Sequence, residues 1–470
     1  MGDPLFITLL DNRFDDLAQS IEVKDDKHCK ILQNFSGRSL KDFVASGVHV
    51  ISYMNDDSGN DKSEDLSVFS LYHKSNDCMT YINTHNCMGV LRMKDIESGH
   101  WVLMQIKSRF DADDKQYFLT YLLSKVFGGT FVDEIPSDSD SLWDMLLAFM
   151  FRKYLMHACE IGLFKQYQAF EHNALRYRGK FNMDEQIKRN IPFMGKIAYT
   201  TRDIIFDNPT NHLIRHAITN INKKWGEILS ENMELNSLCQ LIEQNTPTYK
   251  SADLMRCVQA KENLSPIRHP YFASYYEPLR KLSYSILRDE GASLYDSSDN
   301  EVDGVLFDGA WLWEEYLNTL LNSLDFNHPR NKDREGRLTV FKNRLTPFCY
   351  PDFYSNNIVL DAKYKRIGSC ATSTDSLQLN GDLKSLVMYM FLRKAEIGGF
   401  LYPFEGDGIT KIDQEGVLNG YGGQIYKIGF SVPKNIASAD KFYKAIKLSE
   451  GDFCEKIKVM AANGVTAPYR

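Results

Sequence analysis

The residues with the clearest chemical potential lie between positions 350 and 366, in YPDFYSNNIVLDAKYKR. The turn residues 354–357 between two apolar stretches predict a hairpin. Asp361 and Lys363 stand two residues apart on the second strand, so both side chains share one face, and Asp352 lies near the start of the first strand. Two carboxylates and a lysine beside a hairpin suit metal-dependent hydrolysis of phosphodiester bonds, because magnesium prefers hard oxygen ligands.

Lys363 has three roles open to it: positioning the attacking water, assisting its deprotonation, or offsetting charge on the phosphorus. A neutral lysine is electrostatically disfavoured beside two carboxylates, so positioning and charge are the favoured roles. The alternative is a surface hairpin with a solvated Asp–Lys pair, since Asp-x-Lys alone is a common pattern.

A helix is predicted upstream, over residues 308–324, where DGAWLWEEYLNTLLNSL carries an apolar stripe. Glu314 and Glu315 lie at the edges of that stripe. One of them could point towards the hairpin as a further metal ligand, and either could equally lie on a solvated helix face.

The helices and strands that would hold these residues are those of an α+β multidomain fold. Short alternating runs over residues 1–140 predict a β-rich N-terminal domain. Helical spacing begins near 114–127 and continues through 140–175, and residues 141–260 predict a helical middle region with few strands. The order of helix, strand, strand, helix and strand in residues 261–470 predicts an α/β core around the candidate site.

Composition limits the function classes. The net charge of −7 excludes a uniformly basic coat, so DNA would be contacted through local patches. No phosphate-binding loop of the G-x-x-x-x-G-K-[ST] type occurs, which disfavours nucleotide hydrolysis by this chain. No apolar stretch approaches the roughly 20 residues that a membrane span needs. These features predict a cytoplasmic protein without a membrane partner.

The sequence also resembles the McrC family, the nuclease subunit of McrBC-type modification-dependent restriction systems, and especially its longer McrC-like branch. The similar segments run in the same order and cover roughly residues 100 to 400: QIKSRFDADDKQYFLTYLLSKVF (105–127), RGKFNMDEQIKRNI (178–191), FDNPTNHLIRHAI (206–218), WEEYL (313–317), PDFYSNNIVLDAKYK (351–365), GDLKSLVMYMF (381–391) and GGFLYP (398–403).

This resemblance implies a PD-(D/E)xK nuclease core in which Asp352, Asp361 and Lys363 are catalytic and Glu314 occupies the family's helix-glutamate position. Asp352, Asp361 and Glu314 would then bind Mg²⁺ or Mn²⁺, and the substrate would be double-stranded, modified DNA.

The resemblance further implies a partner, a hexameric AAA+ GTPase ring of the McrB type, whose hydrolysis the non-nuclease half stimulates. That half corresponds loosely to residues 1–260. Arg109 is the candidate partner-binding residue, and the alternative for it is a salt bridge to a nearby aspartate.

DNA is expected to be held through phosphate contacts rather than base readout. The candidate contacts are the basic residues of 328–344 and those that follow Lys363: Arg330, Lys332, Arg334, Arg337, Lys342, Arg344, Lys365 and Arg366. For any one of them, a solvated charged loop is an equal alternative.

One position departs from the family pattern. Ser385 stands where members often have a glutamine, before Tyr389. Lys384 or Ser385 could take over its phosphate contact. A weakened or silent nuclease that only regulates the ring's nucleotide hydrolysis is therefore a competing hypothesis. An unrelated metal-dependent repair nuclease that acts alone is the third.

Overall fold

The computed structural model describes residues 4–463 except for gaps at 14–17, 22, 24, 47–48, 52–66, 74–79, 96–97, 112–116, 128–138, 231–232, 288–301, 330–336, 345–347, 368–372 and 421. The chain divides into two compact units, one formed by Met1–Trp143 with Asp299–Arg470 and the other by Asp144–Ser298. Both units contain helices and sheets, which confirms a mixed α+β multidomain protein. None of the helices in the described ranges is long and apolar enough to cross a membrane.

The N-terminal sheet of the first unit has five strands in the order β1-β7-β6-β11-β3. Their bounds are β1 Pro4–Leu10, β3 His49–Ile51, β6 Cys87–Lys94, β7 Trp101–Lys107 and β11 Val302–Asp308. Strand β1 runs parallel to β7, whereas β6 is antiparallel to both β7 and β11. A smaller sheet in the order β2-β5-β4 consists of β2 Gln19–Ile21, β4 Phe69–His73 and β5 Thr80–Thr84.

Strand β11 comes from the segment predicted to belong to the C-terminal core, yet it completes the N-terminal sheet. Gly89 of β6 has a φ of +134°, and a Cβ there would lie 2.1 Å from the carbonyl oxygen of Val305. Only glycine therefore allows β11 to approach so closely. The boundaries of the two compact units therefore differ from those of the three predicted segments. Residues 1–140 and most of 261–470 belong to the same unit.

The C-terminal sheet of the first unit has the order β14-β15-β16-β18-β17. Its strands are β14 Phe353–Ser355, β15 Ile358–Ala362, β16 Ile397–Gly406, β17 Lys411–Val417 and β18 Gln424–Pro433. The three inner strands are parallel to one another, and β14 and β17 are antiparallel edges. A two-stranded ladder of β12 Leu338–Thr339 and β13 Phe348–Cys349 precedes it.

Helices cover both sheets of this unit: α1 Asp26–Phe35, α2 Leu40–Ala45, α3 Tyr117–Phe127, α11 Gly309–Leu321, α12 Ser373–Arg393 and α13 Ala439–Asn463. Helix α11 starts directly after β11 because the Asp308 carboxylate accepts hydrogen bonds from the backbone N–H groups of Ala310 and Trp311. The buried Trp313 indole donates to the carbonyl of Leu401, which fixes α11 against the C-terminal sheet. The predicted helices near 114–127 and 308–324 are confirmed.

The second unit contains an antiparallel sheet in the order β8-β10-β9 and most of the remaining helices. Its elements are α4 Ser139–Glu160 (which begins before the unit), β8 Gln166–Ala174, β9 Lys180–Phe181, α5 Met183–Arg189, β10 Ile197–Ile205, α6 Pro209–Ser230, α7 Met233–Gln244, α8 Leu254–Val258, α9 Lys261–Leu264 and α10 Pro270–Leu287. The expectation that helix continues through 175 is wrong, because β8 occupies Gln166–Ala174. Residues 176–260 are mainly helical and contain the strands β9 and β10. Strand β8 pairs along its whole length with the distant β10, and such pairing overrides local helical spacing.

Candidate active site

The predicted hairpin is confirmed. Strands β14 and β15 pair antiparallel with Phe353 opposite Leu360, and the turn lies at Asn356 and Asn357. Ile358, Val359 and Leu360 are buried, because β15 is an inner strand between β14 and β16. The chain therefore carries Asp361 and Lys363 to the carboxyl end of an inner parallel strand.

Asp361 and Lys363 meet as the period of the strand predicts. The Asp361 residue is 4% exposed, and the Lys363 ammonium lies 2.5 Å from its Oδ2 atom. The backbone N–H of Lys363 donates to the carbonyl of Leu401 on β16, which holds the position of the lysine. The solvated Asp–Lys pair of the alternative hypothesis is thus not what the structure has.

Asp352 joins this pair from the other strand. Its Oδ2 atom accepts a hydrogen bond of 2.7 Å from the backbone N–H of Ala362. Burial, followed by the charge of Glu314, raises the pKa of Asp352 to about 7. Burial, followed by the charge of Asp352, raises the pKa of Asp361 to about 8. Lys363 opposes both rises, and the facing carboxylates raise its own pKa despite burial. We call Asp352 and Asp361 the carboxylate pair.

Glu314 approaches the carboxylate pair from α11, close enough to raise the pKa of Asp352. His328, which no sequence motif indicated, lies between Glu314 and Asp352. Its side chain is only 4% exposed, and its Nδ1 atom lies 2.7 Å from the carbonyl oxygen of Asp352 and 3.7 Å from Glu314. The ring stacks on Phe353 at a centroid distance of 4.8 Å. His328 therefore braces the backbone that carries Asp352.

Asp382 of α12 is a second residue that was missed. Its carboxylate pairs with Lys365 and lies 3.8 Å from the Lys363 ammonium. Tyr389, two turns further along α12, lies near enough to the carboxylate pair for those charges, after burial, to raise the pKa of its hydroxyl. The D-L-x-x-x-x-x-Y spacing of 382–389 places both residues on one side of a helix and could have indicated them.

The donor set suits a small divalent cation held by two carboxylates. Magnesium keeps several of its water ligands and is commonly bound through one or two carboxylates. Burial, and after it the charge of a neighbouring carboxylate, raises the pKa of both members of the carboxylate pair, and a bound cation would offset both effects. Across the described residues, however, no group of three or more His, Cys, Asp or Glu side chains is arranged to hold an ion. The structure thus fits two carboxylate ligands, and a direct bond to Glu314 stays a prediction.

The candidate DNA contacts differ in their surroundings. Lys365 is mostly buried and committed to Asp382, and Arg366 is one-third exposed and lies 3.6 Å from Glu405. Lys342 and Arg344 are exposed and Arg337 is half-buried, all on the β12–β13 hairpin. The other three candidates lie outside the described residues: Arg330, Lys332 and Arg334.

The structure does not support Arg109 as a partner-binding residue. Its side chain is 5% exposed, and its guanidinium lies 3.1 Å from the buried Asp11 carboxylate. It also donates to the Asn86 side chain and to the carbonyl of Tyr364. The alternative hypothesis, a salt bridge to a nearby aspartate, is the one that the structure shows. A residue so enclosed has no surface to offer a partner, so we no longer assign Arg109 that role.

The chain was compared with curated proteins, solved structures and protein families. None of the curated proteins matches. A Thermococcus gammatolerans structure described as a half-complex from a tetradecameric assembly of McrB AAA+ hexamers with bound McrC is similar at 15% identity and a TM-score of 0.45, over 96% of this chain and 99% of that chain. A cryo-EM structure of the Thermococcus gammatolerans McrBC complex is similar at 14% identity and a TM-score of 0.32, over 67% of this chain and 87% of that chain.

The family described as McrBC 5-methylcytosine restriction system component matches residues 82–403. The matched range contains Glu314, the carboxylate pair and Lys363 and covers more than half of the sequence. The chain therefore belongs to the McrBC 5-methylcytosine restriction system component family.

Proposed function

We propose that this protein is the endonuclease subunit of a two-component, McrBC-like restriction system and that it cuts double-stranded, modified DNA. The C-terminal sheet with α11 and α12 would be its PD-(D/E)xK core. The observation that carries the proposal is the meeting of the carboxylate pair with the Lys363 ammonium at the carboxyl end of β15. Perturbed titrating groups gathered at one place are typical of functional sites.

In this proposal Asp352 and Asp361 would hold magnesium or manganese, which would supply Lewis-acid polarisation of the scissile phosphate and activation of water. Lys363 stays protonated, since the carboxylates that face it favour its charge. It therefore orients the attacking water and offsets negative charge on the phosphate rather than acting as a base. His328 and the Ala362 N–H hold Asp352 in place.

The proposed partner is a hexameric AAA+ GTPase ring of the McrB type. Three observations support it: the family, the lack of a phosphate-binding loop in the sequence, and the surface of the second unit. Residues 166–206 of that unit expose large apolar side chains by half or more: Tyr167, Leu175, Tyr177, Met183, Ile187, Ile191, Phe193 and Met194. Apolar exposure on that scale is typical of a surface that a partner protein covers.

Cleavage of duplex DNA by the wild-type chain with its partner ring, GTP and Mg²⁺ tests the proposal. Asp361→Ala should lower the cleavage rate by about a thousandfold or more, because the metal and Lys363 both lose a partner. Asp413→Ala on the exposed edge strand β17 of the same sheet is the matched control and should cut normally. Full cutting by Asp361→Ala would refute the assignment.

A catalytically silent regulator of the ring is the second candidate. Ser385 favours it, because its hydroxyl bonds only weakly to Gly381 at 3.4 Å in the place of the family's glutamine. The test measures GTP hydrolysis by the ring and DNA cleavage separately. Stimulation of hydrolysis by wild type without cutting under Mg²⁺ or Mn²⁺ would establish the regulator and exclude the nuclease.

A further inference from the structure

A short hairpin next to the carboxylate pair has surface chemistry that phosphate contacts alone do not explain. Residues 337–344 and 348–350, here called the aromatic arm, contain the antiparallel strands β12 and β13. The arm ends two residues before Asp352 and begins nine residues after His328, and those two residues are joined at its base by a 2.7 Å contact. The arm therefore leads directly into the site on its C-terminal side.

Two phenylalanines project from this arm. Phe341 is 43% exposed in the turn that follows β12, and Phe348 is 45% exposed on β13. The Phe348 ring meets the edge of Tyr350 at a centroid distance of 5.8 Å. Leaving two large rings in water beside a candidate active site is unfavourable, and such exposure often marks a binding surface.

Each exposed ring is paired with an arginine. The Arg344 guanidinium lies 5.0 Å from the Phe341 centroid, and that of Arg337 lies 5.3 Å from the Phe348 centroid. With Lys342 the arm carries three basic residues, and RLTVFKNRLTPFCY contains no Asp or Glu. A positive arm with flat apolar rings combines attraction to phosphates with surfaces on which bases stack.

We propose that the aromatic arm binds bases of the DNA in front of the carboxylate pair, with Phe341 and Phe348 stacking on bases while Arg337, Lys342 and Arg344 contact phosphates. This inference rests on the proposed nuclease function and deepens it. A ring reaches a base only where the duplex is opened or its bases are unstacked. The substrate at the cut site is therefore DNA with locally unstacked bases, and the arm contributes affinity that does not depend on charge.

The experiment measures the affinity of the full chain for a short duplex DNA with a few unpaired central bases, by fluorescence anisotropy, in EDTA and at several salt concentrations. Phe341→Ala and Phe348→Ala should each raise Kd by about 5- to 100-fold, as loss of a stacked aromatic does, without changing the slope of log Kd against log salt. Arg337→Gln and Arg344→Gln should instead reduce that slope by about one unit each. Phe6→Ala, at a 57% exposed phenylalanine of β1, is the matched control and should bind like wild type.

Two further variants separate stacking from plain apolar contact. Phe348→Trp keeps a flat ring and should restore wild-type affinity, whereas Phe348→Leu keeps apolar bulk only and should bind as weakly as Phe348→Ala. Unchanged affinity in both alanine variants, or full affinity in Phe348→Leu, would overturn the stacking role. If the proposed nuclease function is wrong, a different measurement shows it: the wild-type chain with its ring does not cleave DNA in a metal-dependent way.

Discussion

Both five-stranded sheets of the first unit bring an acidic and a basic side chain together where parallel strands end, with opposite consequences. In the N-terminal sheet Asp11 follows β1 and Arg109 follows its parallel neighbour β7. The Arg109 guanidinium lies 3.1 Å from the Asp11 carboxylate, and the backbone N–H of Arg109 donates a 2.6 Å hydrogen bond to the same carboxylate. Burial raises the pKa of Asp11, and Arg109 opposes that rise.

The C-terminal sheet has more negative than positive charge at the equivalent end of β15. There the Lys363 ammonium faces two carboxylates of its own hairpin, and the nearby Asp382 pairs with Lys365. Burial, followed by the charge of a neighbouring carboxylate, raises the pKa values of the carboxylate pair to about 7 and 8, and Lys363 opposes that rise without cancelling it. Balanced charge makes a structural link, whereas unbalanced charge leaves a site that a cation would stabilise.

The largest expected effect is a difference in unfolding free energy between a variant of the N-terminal sheet and one of the C-terminal sheet. Arg109→Met should lower the free energy of unfolding by about 3–5 kcal/mol, because Asp11 is left buried without its partner. Lys363→Met should cost clearly less at pH 6, since the carboxylate pair can take up protons there. Urea denaturation of both variants measures this, and equal losses would remove the distinction between the two sheets.

The second prediction uses pH. The folded pKa of Asp352 lies above its ordinary value, so its protonated form favours folding. This contribution to stability is complete below about pH 4 and is lost as the pH rises through 7. Without divalent ions, Asp352→Asn should therefore have a higher free energy of unfolding than wild type at pH 8, by on the order of 1–4 kcal/mol. This difference should vanish towards pH 4.

The control for this pH dependence is Asp413→Asn, at an exposed position of the same sheet. It should follow the wild-type curve throughout. A pH dependence in Asp352→Asn identical to that of wild type would show that the carboxylate pair is not electrostatically strained.

The third prediction concerns the link between the two sheets. The buried Tyr364, next to Lys363, shares a 2.6 Å hydroxyl–hydroxyl hydrogen bond with Ser108, and its carbonyl accepts from Arg109. Tyr364→Phe and Ser108→Ala should each cost about 0.5–1.5 kcal/mol of unfolding free energy, because a buried hydrogen bond is lost. In a double-mutant cycle the two losses should overlap, and strict additivity would argue against the bond.

The smallest expected effect is at Ser385. Ser385→Gln restores the amide that the family often has and should raise the rate of DNA cleavage several-fold. The unfolding free energy should change by less than about 0.5 kcal/mol, because Ser385 is only half-buried. Lys384→Gln, at the exposed neighbouring position, is the matched comparison. Wild-type cleavage by Ser385→Gln would mean that the departure from the family pattern has no catalytic cost.

Local patterns predicted the parts of the site that lie close in sequence. The alternation along β15 placed Asp361 and Lys363 on one face, and the apolar stripe of α11 placed Glu314 at its edge. The residues that were missed come from elsewhere. His328 reaches Asp352 across 24 positions, and Asp382 reaches Lys365 across 17. Neither contact follows from helix or strand periodicity.

The sequence by itself determined the hairpin, the helix that carries Glu314, the meeting of Asp361 with Lys363, and the family, because these depend on neighbouring residues and on motif order. Only the tertiary structure decided that β11 lies in the N-terminal sheet between β6 and β3, that β8 pairs with β10, and that Arg109 is buried against Asp11. Pairing between distant strands depends on which partners are available in the folded chain, and the charge balance around a buried residue depends on every element that packs against it.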